Sequence, residues 1–245
     1  MTDNAVILSV DTATISGGVC LLRGKEVLAS IPGESTLSHS STLLRDIESA
    51  LEKAGLSLSK VDVFAAAIGP GSFTGLRIGI ATVKALSAVL EKPCVGVPTL
   101  HAIARAAGNS SATVSLLPAG RGELFSQLVS VSKDGEVTEL DSPAHLSPQE
   151  VVTKYSELPK LIWAGTGAHA QKDLLLASAQ KLSINFAENG GASEGWRLAP
   201  LELNLALQIA AMAGNQEESD LLTADHLRAL YVRPSDPELK IANSG

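Results

Sequence analysis

The sequence predicts an α/β fold of two lobes, and three features lead there. The first half opens with three short strands around a hairpin turn and then alternates helices with strands. After Gly108-Asn109-Ser110-Ser111 the same order begins again. The length of 245 residues allows one large domain or two small ones. Three antiparallel strands followed by alternating helices and strands, twice over, is the pattern of two ribonuclease-H-like lobes, the actin-like ATPase (ASKHA) architecture. A single doubly wound sheet is the alternative, and the recurrence of the early hairpin favours two lobes. The expected lobes are residues 1–108, and residues 109–245 with C-terminal helices and a frayed tail after Arg233.

Each element has a local reason. Val6-Ile7-Leu8-Ser9-Val10 is a buried strand ending at Asp11, and Gly18–Leu22 is a second. Arg23-Gly24-Lys25 turns the chain into a third strand, Val27–Ile31. Leu43, Leu44, Ile47, Ala50, Leu51 and Ala54 recur at helical spacing, which predicts a helix over Leu37–Ala54 that Gly55 stops. Val63–Ile68 is an apolar strand, followed by a glycine-rich turn and a helix over Phe73–Glu91. Strand Cys94–Val97 and a short helix, Thr99–Ala107, complete the first half. In the second half, strands are expected at Val114–Leu117, Leu124–Val131 and Val137–Leu140. A helix from Ser147, strand Leu161–Ala164, helix Ala168–Ala177 and strand Leu182–Phe186 follow. Glu188–Gly195 is a glycine-rich loop, and Leu201–Ala213 a last helix.

Composition limits the function. Apolar residues make up 45% and charged residues 18%, as in globular proteins. The formal net charge is −7, without a cluster of Lys and Arg, so a lone nucleic-acid binder is not expected. Aromatic residues at 3% leave few base-stacking platforms. Cys20 and Cys94 sit in apolar strands and fit two buried thiols in a reducing cytoplasm. The acidic start suggests no signal peptide, and no run of 18 uncharged apolar residues suggests a membrane span.

The most informative stretch is Gly69-Pro70-Gly71-Ser72-Phe73-Thr74-Gly75-Leu76-Arg77-Ile78-Gly79. It follows a strand and opens a helix, so its amides could hold an anion, or it could simply present the helix. It is neither a P-loop, lacking the Lys-Ser/Thr, nor a dinucleotide fingerprint, because Thr74 stands where a third glycine belongs. The helix it opens is apolar nearly all round and so is expected to be buried on more than one side. Gly75 and Gly79 lie one turn apart on it. They serve either close packing inside the chain, against Leu37–Ala54, or a helix-on-helix interface with another subunit. Asp11-Thr12-Ala13-Thr14 stands where actin-like ATPases keep a phosphate-handling carboxylate, or is a strand end capped by side chains. The equivalent strand of the second lobe ends Leu117-Pro118-Ala119-Gly120, without an acid to help hold magnesium. Gly165-Thr166-Gly167 either faces an adenosine or is a tight turn. No two of the five histidines are three or four residues apart, so a two-histidine helix site is excluded, and each is expected to be solvated or hydrogen-bonded. A Ser72–His39–Asp triad lacks a nucleophile elbow.

Several of these segments together resemble the TsaB family. They are Ile7–Thr14, Gly69–Gly79, Gly96-Val97-Pro98-Thr99-Leu100, Arg121-Gly122-Glu123-Leu124-Phe125, Gly165-Thr166-Gly167 and, more weakly, Leu230-Tyr231-Val232-Arg233. The resemblance implies an actin-like fold without the active site of the similar catalytic subunit TsaD. It implies a non-catalytic partner in forming N6-threonylcarbamoyladenosine at position 37 of tRNAs. The implied partners are a TsaD-like subunit, bound through first-lobe helices, and a TsaE-like ATPase, with tRNA reached only through the complex. Where TsaD carries His-x-x-x-His, this chain has Thr99 and Ile103, with His101 out of phase, so neither metal nor cofactor is expected. Relatives usually have Asp-Ala-Arg before the Gly-Glu pair, where this chain has Pro118-Ala119-Gly120. The expected partner-binding residues are His39, Leu43, Gly71, Ser72, Phe73, Thr74, Gly75, Arg77, Ile78, Gly79 and Thr82, on a face that would pair two copies when the partner is absent. The expected degenerate nucleotide site is Asp11, Thr12, Gly165 and Gly167.

Overall fold

The computed structural model describes residues 4–34, 39–188 and 194–232. The first lobe holds β1 (Val6–Asp11), β2 (Gly18–Arg23), β3 (Glu26–Pro32), α1 (His39–Ala54), β4 (Val63–Gly69), α2 (Phe73–Leu90), β5 (Cys94–Pro98) and α3 (Thr99–Ala107). The second holds β6 (Ser110–Gly120), β7 (Glu123–Val131), β8 (Val137–Glu139), β9 (Ala144–Leu146), α4 (Pro148–Tyr155), β10 (Leu161–Ala164), α5 (Thr166–Ala170), α6 (Lys172–Lys181), β11 (Phe186–Glu188) and β12 (Trp196–Leu198), and α7 (Ala206–Gly214) follows.

The strand order of the first sheet is β3-β2-β1-β4-β5, and that of the second is β11-β12-β10-β6-β7-β8, with β9 also on β7. In each lobe three strands pair antiparallel, and the strand opening the lobe also pairs in parallel with a later one, β1 with β4 and β6 with β10. The repeated order is the two-lobed actin-like fold.

The second lobe differs from the sequence expectation in detail. The helix expected over Ala168–Ala177 is two helices, because Gln171 (φ −107°, ψ 17°) ends α5 and caps α6. The strand expected at Leu182–Phe186 is displaced, since Leu182 caps α6 and Ser183 has positive φ. The Glu188–Gly195 loop and the tail after Arg233 fall largely or wholly outside the described residues.

Helices α1 and α2 lie side by side on one face of the first sheet. The opposite face is covered by α7, which the sequence assigned to the second lobe. Ile209, Ala210 and Ala213 join the first-lobe core, and Ser9 Oγ donates to Ala206 O at 2.6 Å. The chain returns across 199–205, where Asn204 Nδ2 donates to Ser30 Oγ at 3.0 Å. It then runs antiparallel beside β5, with Cys94 and Leu222 exchanging two backbone hydrogen bonds of 2.8 Å. The lobe boundary at residue 108 therefore separates the two sheets, while the described chain from residue 199 onward packs back on the first lobe. Both cysteines are free and buried, and burial pushes the Cys20 thiol up to about 11.

Helix α3 joins the lobes. Its Arg105 donates to Gln208 of α7, and His101 Nε2 lies 3.0 Å from Glu139 Oε1 of β8. Burial holds His101 below the ordinary imidazole range, outweighing the raising effect of Glu139. Below about pH 6.5 the unfolded chain thus takes up a proton that folded His101 resists. This group makes stability fall with pH in that window, by at most about 1.4 kcal/mol per pH unit. His101→Gln is expected to flatten that part of the acid loss, read from urea midpoints at pH 7.5 and 5.5. An unchanged difference between the two midpoints would contradict it.

Candidate functional site

Two segments meet where β1 ends and α2 begins. The Asp11 carboxylate is wholly buried and accepts hydrogen bonds from Ala13 N (2.8 Å), Thr14 N (3.3 Å) and Thr14 Oγ1 (2.6 Å), which rigidify its own turn. The turn then clamps α2. Ser72 N donates to Ala13 O at 2.8 Å, Thr12 Oγ1 donates to Gly75 O at 2.7 Å, and Ser72 Oγ caps the helix through Gly75 N.

This clamp explains the glycines. A Cβ at Gly75 would lie 1.9 Å from Thr12 O, one at Gly79 2.2 Å from Thr12 Oγ1, and one at Gly71 2.5 Å from Ala13 O. Gly75 and Gly79 are buried against the chain's own Thr12, so their expected role in close approach of another subunit is corrected. The other expectation, close packing inside the chain, is met, with the Thr12 turn in place of α1 as the neighbour.

The exposed side of α2 carries Thr74, Arg77, Ala81, Ala85, Ala88 and Val89, with Ile78 and Thr82 half-buried beside it. Within the chain, then, α2 is covered by the sheet side, and the described residues leave this second side open. It has the length and apolar character of a membrane span, a property the sequence reading missed, yet it packs on β4 and β1 as a lobe helix. On α1 the expected Leu43 is 5% exposed and faces the sheet, while Leu44 is 65% exposed. His39 opens α1, with its side chain outside the described residues.

Between the lobes lies a cleft of about 540 Å³. One wall is Ile15, Gly71, Ser72 and Phe73, and the other is Leu117, Pro118, Phe125, Gly165 and Thr166. Leu203 and Leu205 of the crossing segment and Tyr231 of the C-terminal segment close its ends. The Phe73 and Tyr231 rings stand 5.6 Å apart, and the Arg77 guanidinium sits 3.8 Å from the Phe73 centroid, a cation–π contact.

Of the four expected nucleotide-site residues, Gly165 alone lines this cleft. Asp11 and Thr12 lie behind its wall, hydrogen-bonded as above. Gly167 packs under β6, where a Cβ would come within 2.8 Å of Leu116 C. An actin-like fold implies ATP with magnesium here, and the donor set does not fit it. Glu202 is the single charged residue among the described lining residues, and it is an anion that would repel phosphates. Among the described residues no group of three His, Cys, Asp or Glu could hold a metal ion. Thr99 is buried at the start of α3, and Ile103 lines the cleft. The described histidines other than His101 are also engaged. His145 lies 3.0 Å from Glu123, His169 is 2.8 Å from Ala199 O, and His226 is 2.8 Å from Thr223. Sequence reasoning missed Ile15, Glu202 and Leu203. Their signal was faint, being apolar or acidic residues isolated in turn and loop segments.

The family model described as "TsaD: tRNA N6-adenosine threonylcarbamoyltransferase" matches residues 26–213. The tRNA threonylcarbamoyladenosine biosynthesis protein TsaB of Escherichia coli is 31% identical over 175 residues, 69% of this chain and 74% of that protein. The TsaB protein of Haemophilus influenzae is 34% identical over 131 residues, 51% of this chain and 55% of that one. A tRNA N6-adenosine threonylcarbamoyltransferase of a Methylobacterium species is 29% identical over 220 residues, 83% of this chain and 62% of its own length. The matches thus span from about half to three quarters of these relatives. The solved structure of YeaZ from Pseudomonas aeruginosa superposes with a TM-score of 0.71 at 24% identity, covering 93% of this chain and 99% of that one.

Proposed function

The chain belongs to the TsaB family, and from that premise we propose that it takes part in tRNA threonylcarbamoyladenosine biosynthesis as a non-catalytic subunit. It acts on tRNA through a TsaD-like catalytic subunit and a TsaE-like ATPase, in the cytoplasm. The observation that carries the reading is the state of the interlobe cleft. The fold's usual catalytic apparatus would be built there, and its described lining is apolar apart from a few hydroxyls and Glu202. Such a cleft can seat a molecule, but a lone carboxylate, Glu202, with no cation beside it among the described lining residues, is a poor holder of a magnesium–phosphate.

The partner surface is the outer face of α1 and α2, with Leu44, Arg77, Ile78 and Thr82 around the small side chains Ala81 and Ala85. Small side chains let a second helix approach closely, and an exposed apolar helix layer is what a partner covers. When the partner is absent, the same face joins two copies.

The test is a reconstitution. The TsaD-like and TsaE-like proteins of the same cell are incubated with tRNA, ATP and a threonylcarbamoyl donor, with and without this chain, and the modified nucleoside is quantified. We expect at least tenfold more product with the chain present, and neither product nor ATP turnover from the chain alone. Product from the chain alone would make it an enzyme, and equal product without it would remove it from the reaction.

A further inference from the structure

The fold brings together cations that stand far apart in sequence. On α2, Phe73, Arg77 and Lys84 follow one another at intervals of four and seven residues, so they share one flank of the helix. Ile78 and Thr82 point roughly 100–160° further round. The segment after α7 runs along the first flank. Lys84 Nζ donates to Leu227 O at 3.5 Å, and Arg228 Nη1 donates to the same oxygen at 3.1 Å. Three residues on, the Tyr231 ring packs on Phe73, which also carries the Arg77 guanidinium. The result is a ridge about 10 Å long, with Lys84 and Arg228 at one end and Arg77, Phe73 and Tyr231 at the other.

The charge of this ridge is not balanced locally. Elsewhere Arg45, Lys92, Lys154 and Lys172 each stand beside a carboxylate. Among the described residues none of Arg77, Lys84 and Arg228 is in an ion pair. Neither α2 nor Leu227–Val232 contains an Asp or Glu. Lys84 and Arg228 share one acceptor, so their charges stand within about 7 Å of each other. Like charges held this close repel, and an anion seated beside both relieves them. The chain's net charge of −7 does not cancel the ridge, because salt screens charges more than about 8 Å away at physiological ionic strength. A ring beside cations favours one kind of anion. Phosphates engage the cations, and a base stacks on Tyr231, which is 45% exposed. An acidic protein surface would use the cations and leave the ring idle.

We propose that this ridge binds the backbone of tRNA directly, with phosphates at Lys84–Arg228 and at Arg77 and an unpaired base against Tyr231. The inference rests on the reading of the chain as a subunit in tRNA modification. It adds a contact made by this chain itself to the tRNA that the partner subunits engage. The sequence hides the patch, because Arg228 lies 144 positions after Lys84 and only the fold makes them neighbours.

Fluorescence anisotropy of an end-labelled, unmodified tRNA transcript, titrated with the full chain alone, tests this. We expect a dissociation constant on the order of 10–100 μM at about 50 mM salt, and a log–log salt slope of about −2 from three phosphate contacts. Lys84→Gln combined with Arg228→Gln is expected to weaken binding at least fivefold and bring the slope to about −1. Tyr231→Ala is expected to weaken it about fivefold and leave the slope unchanged, because stacking releases no counterions. Lys133→Gln combined with Lys181→Gln makes the same change in net charge at exposed positions away from the ridge and is expected to leave binding within twofold. Unfolding midpoints check that each variant is folded. No binding by the parent chain, or equal losses in the two double variants, would overturn the proposal. A Lys84→Gln/Arg228→Gln variant that keeps its tRNA affinity and loses a TsaD-like subunit would assign the cations to an acidic protein surface instead. The titration contains neither partner nor product, so its failure is separate from that of the reconstitution.

Discussion

Gly75→Ala is expected to destabilise the first lobe by about 3 kcal/mol or more, although the change raises helix propensity by about 1 kcal/mol. The added Cβ would sit 1.9 Å from Thr12 O, a backbone atom in a turn that Asp11 holds from within. Relief requires α2 to move away from β1, which breaks the Thr12–Gly75 hydrogen bond and opens the buried contacts of Leu76 and Val83. Gly79→Leu should act in the same direction. Its Cβ meets the Thr12 hydroxyl, a side-chain atom, so Thr12 could turn aside, but only by giving up its bond to Gly75 O. Urea unfolding followed by circular dichroism reads both. A Gly75→Ala variant with the midpoint of the parent protein would show that the turn gives way easily.

Ala85→Arg is expected to do the opposite, leaving the fold intact and removing the partner. Ala85 is exposed on the side of α2 away from Gly75 and Gly79, in line with Ala81 and Ala88. A surface substitution of this kind usually changes stability by less than about 0.5 kcal/mol. A helix seated on the alanines would meet a long charged side chain where it has to come close. Association with a TsaD-like subunit should weaken at least tenfold in titration calorimetry, with the unfolding midpoint preserved. Unchanged affinity would move the interface off this face. The two variants thus separate a glycine seam that holds the lobe together from an alanine stripe that faces outward.

That separation marks the limit of what the sequence could tell. Strand β1, the hairpin, α1, β4 and α2 were legible because their apolar residues keep a clear period and glycines punctuate them. The direction in which α2 faces was not. Its composition is apolar on nearly every side, so the reading leaned on Gly75 and Gly79, and a glycine pair looks alike whether it receives a neighbouring subunit or the chain's own turn. Leu43 and Leu44 pose the same problem on α1, where adjacent leucines differ by about 100° and only the sheet decides which is buried. At the cleft, Gly165 was legible because a strand, a tight turn and a helix meet there. The wall formed by Leu203, Leu205 and Tyr231 was not, because it is assembled from segments distant in sequence. That α7 covers the first sheet could not be read either. A helix's pattern shows that it has an apolar face and says nothing about which sheet receives it.

The placement of α7 also has a consequence during synthesis. The β-strands of the first lobe are complete once residue 98 has left the ribosome, but the face that α7 covers stays bare until residue 214 follows. At about 5–20 residues per second that interval lasts roughly 6–23 s. Throughout it, Ile7 and its neighbours on that side of β1 are exposed on a nascent chain whose other side is already packed by α1 and α2. The first half of this protein therefore depends on its last helix to finish folding, and a ribosome that stalls between the lobes leaves an open apolar sheet for chaperones to shield.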